Sequence, residues 1–158
     1  TLWAKGNNEY GALGQNDRTN YSSPRQIPGT TWATVSTAGE NGNNVVATKT
    51  DGTLWSWGQN DSGSLGLNQG EPAQRSSPAQ VPGTTWTTNW ASIKRGNKYN
   101  ALASKTDGSL WIWGTNTSGQ FGTGEGYYMV SSPLQIPGDW GTPKLSFFNA
   151  GIIALKQS

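Results

Sequence analysis

Nine carboxylates are the chain's supply of candidate acids and bases: Glu9, Asp17, Glu40, Asp51, Asp61, Glu71, Asp107, Glu125 and Asp139. There is no His and no Cys among the 158 residues, which removes imidazole bases, thiol nucleophiles, disulfides and the usual zinc ligands together. Asp51 and Asp107 each precede a Gly at equivalent places and read as hairpin residues. The other seven fall in loops without a recurrent pair, so the two carboxylates of a hydrolase could meet only through folding. Neither a phosphate-cradling loop nor an EF-hand run is present. The expectation is a protein that is not an enzyme and carries no cofactor and no metal.

Binding chemistry is located by asking what fails to repeat. The stretch Lys49 to Gly66, K-T-D-G-T-L-W-S-W-G-Q-N-D-S-G-S-L-G, recurs as Lys105 to Gly122 and, shortened, as Thr1 to Gly14. A second block follows each copy: Ser23-Pro24-Arg25-Gln26-Ile27-Pro28-Gly29, Ser77 to Gly83, and Ser132 to Gly138, with Trp32, Trp86 and Trp140 shortly after. Leu2 to Leu54 is a spacing of 52 residues and Leu54 to Leu110 one of 56. The extra residues lie between the motifs, as expected of stacked equivalent units whose loops tolerate length change. Between the two blocks, residues 15–21, 67–75 and 123–130 do not repeat. They offer Arg18, Tyr21, Arg75, Tyr127, Tyr128 and Met129, a mixture suited to protein contact. The bland account of the three tyrosines is that they cover the edges of the units. Lys94, Arg95, Lys98 and Tyr99 form a smaller basic and aromatic set that reads as a solvated loop. Repeated Trp residues also suggest carbohydrate stacking, but their strand positions favour core packing.

The elements that position these loops are short strands. In Thr53-Leu54-Trp55-Ser56-Trp57 the two indoles share one face, and Leu54 and Ser56 the other. Asp51-Gly52 predicts a hairpin joining this strand to Val45–Lys49, and Asp107-Gly108 does the same for Ala101–Lys105. Gly58-x-Asn60-x-x-Gly63-x-Leu65-Gly66 predicts a tight bend, in which Asn8, Asn60 and Asn116 hold one place and suit an Asx-turn. Asn20, Asn60 and Asn116 also fit the glycosylation sequon, and the turn role is preferred. The Pro-x-Gln-Ile/Val-Pro-Gly block predicts a short edge strand bounded by prolines. A fourth strand is expected near residues 32–35, 90–93 and 144–148. Four strands per unit without helical periodicity give an all-β repeat.

The D-G-x-L-W-x-W-G-x-N-x-x-G-x-L-G runs, the S-P-x-Q-I/V-P-G block and the A-x-K-T-D-G entry strand resemble the repeats of the regulator of chromosome condensation family over essentially the whole chain. The resemblance implies a β-propeller with blades of four antiparallel strands, about seven of them in the family. On this reading residues 1–158 hold three repeats, with motif copies starting near 1, 49 and 105. Their framework is Trp3, Trp55, Trp57, Trp111 and Trp113, with Gly58, Gly63, Gly66, Gly114, Gly119, Gly122, Asn60 and Asn116. The chain departs from the pattern at Lys5, which stands where the other copies have Trp57 and Trp113. Kelch repeats have a similar period but paired glycines that this chain lacks, and a Gly-His signature of the WD type needs His. Within the family the resemblance implies an interaction platform. Its best-known member exchanges nucleotide on a small GTPase, and no wedge for that task is visible.

Eleven basic against nine acidic residues leave a formal charge of +2, with no basic run, so no nucleic-acid partner is expected. No apolar run of 18 residues spans a membrane. Lys156-Gln157-Ser158 aligns with Lys49-Thr50-Asp51, and Thr1 with Thr53, so the three units are cut at one phase inside a hairpin. Since closed propellers use about four to eight blades, the expectation is a segment of a longer chain. The alternative is several copies joined by pairing residues 154–158 of one with residues 1–5 of the next. The expected function is a non-enzymatic propeller module that binds a protein partner or further blades. Low charge and abundant Asn, Thr, Ser and Gly favour a bacterial, phage or other extracellular, cell-surface or virion setting over a nuclear one. A GTPase regulator and a carbohydrate-binding propeller are the competing expectations.

Overall fold

The computed structural model describes residues 1–37, 43–69, 74–89, 93–95, 100–124, 126, 128–141, 144–148 and 151–156. Their strands are β1 (Trp3–Gly6), β2 (Tyr21–Gln26), β3 (Trp32–Thr37), β4 (Asn44–Lys49), β5 (Leu54–Gly58), β6 (Arg75–Gln80), β7 (Ile93–Arg95), β8 (Asn100–Ser104), β9 (Leu110–Thr115), β10 (Met129–Ile136), β11 (Lys144–Phe148) and β12 (Gly151–Leu155). The helical content among the described residues is one 3-10 turn, Asp61–Gly63. Two four-stranded antiparallel sheets, β3-β4-β5-β6 and β7-β8-β9-β10, are flanked by the two-stranded sheets β1-β2 and β11-β12. These are two complete propeller blades between two half-blades. β7 touches β3 and β4 on one side and β11 on the other, so β3, β7 and β11 form the inner rim, and β2, β6 and β10 the outer edge.

The hairpins form where expected: Val46 lies opposite Ser56 and Leu102 opposite Ile112. Their turn differs in type. Only Gly52 has positive φ (+77°), its N–H reaching Lys49 O at 3.1 Å, and Lys49 N–H reaches Thr53 O at 3.0 Å. Asp51 therefore caps rather than adopts the left-handed position, its carboxylate accepting the Thr53 N–H (3.0 Å) and hydroxyl (2.6 Å). The proline block does form the outer edge strand, but Pro24, Pro78 and Pro133 lie inside β2, β6 and β10 rather than bounding them. An edge strand needs ladder hydrogen bonds on one side only, which leaves room for a residue without an N–H. The fourth strand covers Trp32–Thr37 and Lys144–Phe148. In the second blade it divides into a bridge from Trp86 to Lys105 and the strand Ile93–Arg95. Trp90 lies outside the described residues.

Each interface between blades is a hydrophobic layer built from the same places in the repeat. Val46, Leu54 and Val81 of one blade meet Trp86, Ala101, Ala103 and Trp113 of the next. Ile27 of the first half-blade meets Val45, Ala47 and Trp57 in the same way. Trp55 and Trp57 share a face as expected, both contacting Trp32, with ring centroids 6.2 and 5.7 Å apart. The opposite face is buried as well, so Ser56 donates its hydroxyl to Leu65 O (2.5 Å). Trp57, Trp86 and Trp113 are at most 1% exposed, which settles those indoles as core and not as stacking platforms.

Candidate functional site

The bend after β1, β5 and β9 is where framework gives way to variable loop. Asn8, Asn60 and Asn116 are buried to within 1%. Their Oδ1 atoms accept the N–H groups of Leu13 (2.9 Å), Leu65 (3.0 Å) and Phe121 (3.0 Å). The bond spans five residues rather than the two of an Asx-turn, and closes the whole glycine-punctuated bend. Burial also takes Asn60 and Asn116 out of reach of glycosylation, whereas Asn20 is exposed. The other end of the same amide reaches into the variable loop: Asn8 Nδ2 donates to Asp17 O (2.9 Å) and Asn60 Nδ2 to Gln69 O (3.2 Å). Framework and loop are thus tied through one side chain.

The bend glycines let the next blade approach. A Cβ on Gly11 would lie 2.6 Å from Ser76 Cα, and one on Gly63 2.7 Å from Ser131 Cα. A Cβ on Gly66 would lie 2.8 Å from the Trp113 indole nitrogen, which donates to Ser64 O at 3.1 Å. Trp57 Nε1 donates likewise to Ala12 O, 2.9 Å. Two backbone bonds then stitch each loop to the neighbouring outer strand: Asn16 N–H to Ser76 O and Asn68 N–H to Ser131 O, both 2.7 Å. The loops at Asn16 and Asn68 and the outer strands they reach, β6 and β10, together make a loop band.

The expected contact residues divide along this band. Arg18 is exposed, and Met129 is 60% exposed at the start of β10. Tyr21 is half-buried, its hydroxyl donating to Asp17 Oδ2 (2.6 Å), with the Arg25 guanidinium 4.5 Å from its ring centre. That hydroxyl and the Thr19 N–H hold the Asp17 carboxyl below its usual range, and the same bond raises the Tyr21 phenol. Arg75 is half-buried and donates to Gln69 Oε1 (2.7 Å). Tyr128 packs edge-on against Phe121, centroids 5.9 Å apart, and shares a hydrogen bond with Thr123 (2.9 Å). Tyr21 and Tyr128 therefore brace the loops, whereas Arg18 and Met129 are exposed and Arg75 is half-buried. Tyr127 lies outside the described residues, as do Lys98, Tyr99, Glu40, Glu71 and Glu125; of Lys94 and Arg95 the backbone alone is described. Arg25 was missed by the sequence reading. Its signal was present, since Arg25, Ala79 and Leu134 occupy the one place in the proline block where the residue type changes in charge and size, the Ile27/Val81/Ile136 place staying β-branched.

A second repeated arrangement sits at the hairpins. Lys49 Nζ lies 4.9 and 4.0 Å from the ring centres of Trp32 and Trp55, and Lys105 Nζ 5.0 and 4.5 Å from those of Trp86 and Trp111. Trp55 donates its N–H to Thr53 Oγ1 and Trp111 to Ser109 Oγ, each at 2.8 Å. Those hydroxyls in turn lower the Asp51 and Asp107 carboxyls. Both carboxylates are used in turn geometry. Among the described residues no cluster of three Asp or Glu is placed to hold a metal, and no helix is long and apolar enough to cross a membrane.

Stacked four-stranded antiparallel blades define a repeat-built β-propeller architecture. The family model described as the regulator of chromosome condensation (RCC1) repeat matches residues 1–43 and 51–102. The chain belongs to the RCC1-repeat family. It is 29% identical over 119 residues to the RCC1 domain-containing protein RUG3, mitochondrial, of Arabidopsis thaliana, covering 73% of this chain and 26% of that protein. To human Protein RCC2 it is 35% identical over 87 residues, 55% of this chain and 16% of that one. Human WBSCR16 superimposes with a TM-score of 0.72 at 19% identity over 98% of this chain and 39% of that one. Prp20p from Saccharomyces cerevisiae gives a TM-score of 0.68 at 19% identity, over 90% and 35%. The chain thus spans about a quarter or less of these curated relatives.

Proposed function

We propose that the chain is a non-enzymatic protein-binding propeller module whose contacts are made by the loop band, through Arg18, Arg75 and Met129. The observation that carries this reading is the pair of 2.7 Å bonds from Asn16 to Ser76 and from Asn68 to Ser131. They tie loops that differ in sequence to the outer strands of a framework that repeats. An exposed and a half-buried Arg together with an exposed Met suit a protein partner that offers carboxylates and apolar side chains. The Prp20p structure is described with its binding to Gsp1p and histones, so both serve as probes here. The setting we favour is an extracellular, cell-surface or virion one, on the low charge and the Asn/Thr/Ser/Gly-rich composition.

The test is calorimetric titration of purified histones and nucleotide-free Gsp1p into the chain and into an Arg18→Ala/Arg75→Ala/Met129→Ala variant. The reading expects saturable binding of a protein probe that the variant weakens tenfold or more, about 1.4 kcal/mol, with the melting temperature unchanged. Equal affinity in both proteins overturns the band as the site. Nucleotide release from Gsp1p accelerated by the chain would instead make it an exchange regulator. Binding on a glycan array that Trp3→Ala abolishes would make it a carbohydrate binder.

A further inference from the structure

One place in the repeat keeps a buried donor without an acceptor. Trp3, Trp55, Trp57, Trp111 and Trp113 each donate the indole N–H, to Thr1 Oγ1, Thr53 Oγ1, Ala12 O, Ser109 Oγ and Ser64 O in turn. The buried Nε1 atoms of Trp32, Trp86 and Trp140 donate to nothing among the described residues, and Trp86 is 1% exposed. These three hold equivalent positions, each just after the Pro-Gly of the proline block. Leaving a buried donor unpaired is costly, so its recurrence at one place in three units calls for an acceptor from outside the chain.

Two of these indoles face an ammonium across a glycine. A Cβ on Gly83 would lie 3.6 Å from Trp86 Nε1 and 3.4 Å from Lys105 Nζ, and one on Gly29 3.6 Å from Trp32 Nε1 and 3.5 Å from Lys49 Nζ. Any side chain there would meet both donors, and φ of +98° and +101° disfavours one. The glycines thus keep an opening beside the pair, and residues 28–31 and 82–85 around it are exposed. Among the described residues neither ammonium has a hydrogen-bond acceptor. The faces of Trp32 and Trp55, and of Trp86 and Trp111, attract its charge but leave its N–H groups unpaired. Asp51 and Asp107, two residues further on, are engaged by Thr53 and Ser109 and act on the lysines through space alone.

We infer that the openings beside Gly29 and Gly83 are anion-binding sites, in each of which a carboxylate accepts from the lysine ammonium and from the indole N–H. Every group presented there is a donor, and one of them is charged. A carboxylate pairs the donors and offsets the charge together, whereas a neutral acceptor leaves the ammonium uncompensated. The sites lie at the hairpin ends of β5 and β9, and the bends that lead into the variable loops follow the other ends, Gly58 and Thr115. They stand or fall independently of the loop band. Because they recur at the same end of neighbouring blades, a ligand with several carboxylates can engage both at once.

The test is nuclear magnetic resonance of the indole N–H groups during titration with acetate, and with acetamide as its uncharged isostere. The Trp32 and Trp86 signals are expected to move saturably with acetate and not with acetamide. Those of Trp57 and Trp113, whose N–H groups already bond carbonyls, should stay in place. Lys105→Met keeps an apolar stem against the rings and removes the charge. It should weaken acetate binding read at Trp86 by about tenfold or more and leave the Trp32 response unchanged, and Lys49→Met should do the reverse. A shift that rises linearly with acetate, that acetamide matches, or that neither lysine variant weakens overturns the proposal. A hexaglutamate peptide separates the sources of the carboxylate. Half-saturation at a lower carboxylate concentration than with acetate assigns an acidic peptide segment that spans neighbouring sites, equality assigns a small free acid, and either result upholds the sites.

Discussion

A single carboxamide closes each bend. Asn60 accepts the Leu65 N–H and donates to Gln69 O from a position 1% exposed, so removing it leaves the buried Leu65 N–H unsatisfied and unties the half-buried Gln69. Asn60→Ala is expected to lower stability by about 1–3 kcal/mol, read from a denaturant melt. Ser22→Ala, at an exposed position, should change it by less than about 0.5 kcal/mol. Equal losses would remove the special standing of the bend. Asp51 and Asp107 act through pH. The hydroxyls of Thr53 and Ser109, and then the backbone N–H groups of the same residues, lower both carboxyls from 3.8. A carboxyl whose folded value is depressed contributes its stability above the unfolded value and loses it as pH falls through the folded one. The melting temperature should therefore drop as pH passes below 3.8, and an Asp51→Asn/Asp107→Asn variant should drop less over that window. Identical acid profiles would show the two carboxylates to be idle. The place of Asn60 and Asp51 in their turns was legible in the sequence because each recurs at fixed spacing. Their bonding was not, since a five-residue closure and a single left-handed glycine depend on backbone angles that residue type does not set.

At the scale of elements, the repeat works as an interlock in which a glycine on one blade answers a tryptophan on the next. Gly66 combines φ of +70° with a would-be Cβ 2.8 Å from Trp113 Nε1, while Gly122 has φ of +65° and open space. Alanine at either place pays the left-handed strain of about 1–2 kcal/mol. Only at Gly66 does it also displace the indole and its bond to Ser64 O, adding roughly 1–3 kcal/mol of overpacking. Gly66→Ala should therefore destabilise more than Gly122→Ala, and indistinguishable melts would mean that the indole moves aside at no cost. The comparison reads the packing term alone, because the backbone term is common to both. Strand order and antiparallel pairing were legible from the period-two pattern and the Asp-Gly turns. That Leu54 and Ser56 are as buried as Trp57 was not, because alternation distinguishes the two faces of a strand but not whether each is covered. The loop band was legible in position, as the stretches that vary. Which of its side chains are free depended on contacts such as Tyr21 with Asp17 and Tyr128 with Phe121, which cross segments whose sequence has no period.

Across the whole molecule, stability should be graded rather than uniform, because each blade contacts only its neighbours along the stack. β4, β5, β8 and β9 each pair on both sides, and Val46, Leu54, Leu102 and Ile112 on them are fully buried. β1 pairs on one side and exposes Trp3, and β12 pairs on one side with Leu155 exposed. Local opening free energies run from near zero at weakly covered edges to the global value in the core. Amide hydrogen exchange is therefore expected to be slowest in Asn44–Gly58 and Asn100–Thr115, and faster by orders of magnitude in Trp3–Gly6 and Gly151–Leu155. A flat profile would mean that the stack unfolds as one unit, and that the half-blades are held by more than the neighbours they touch.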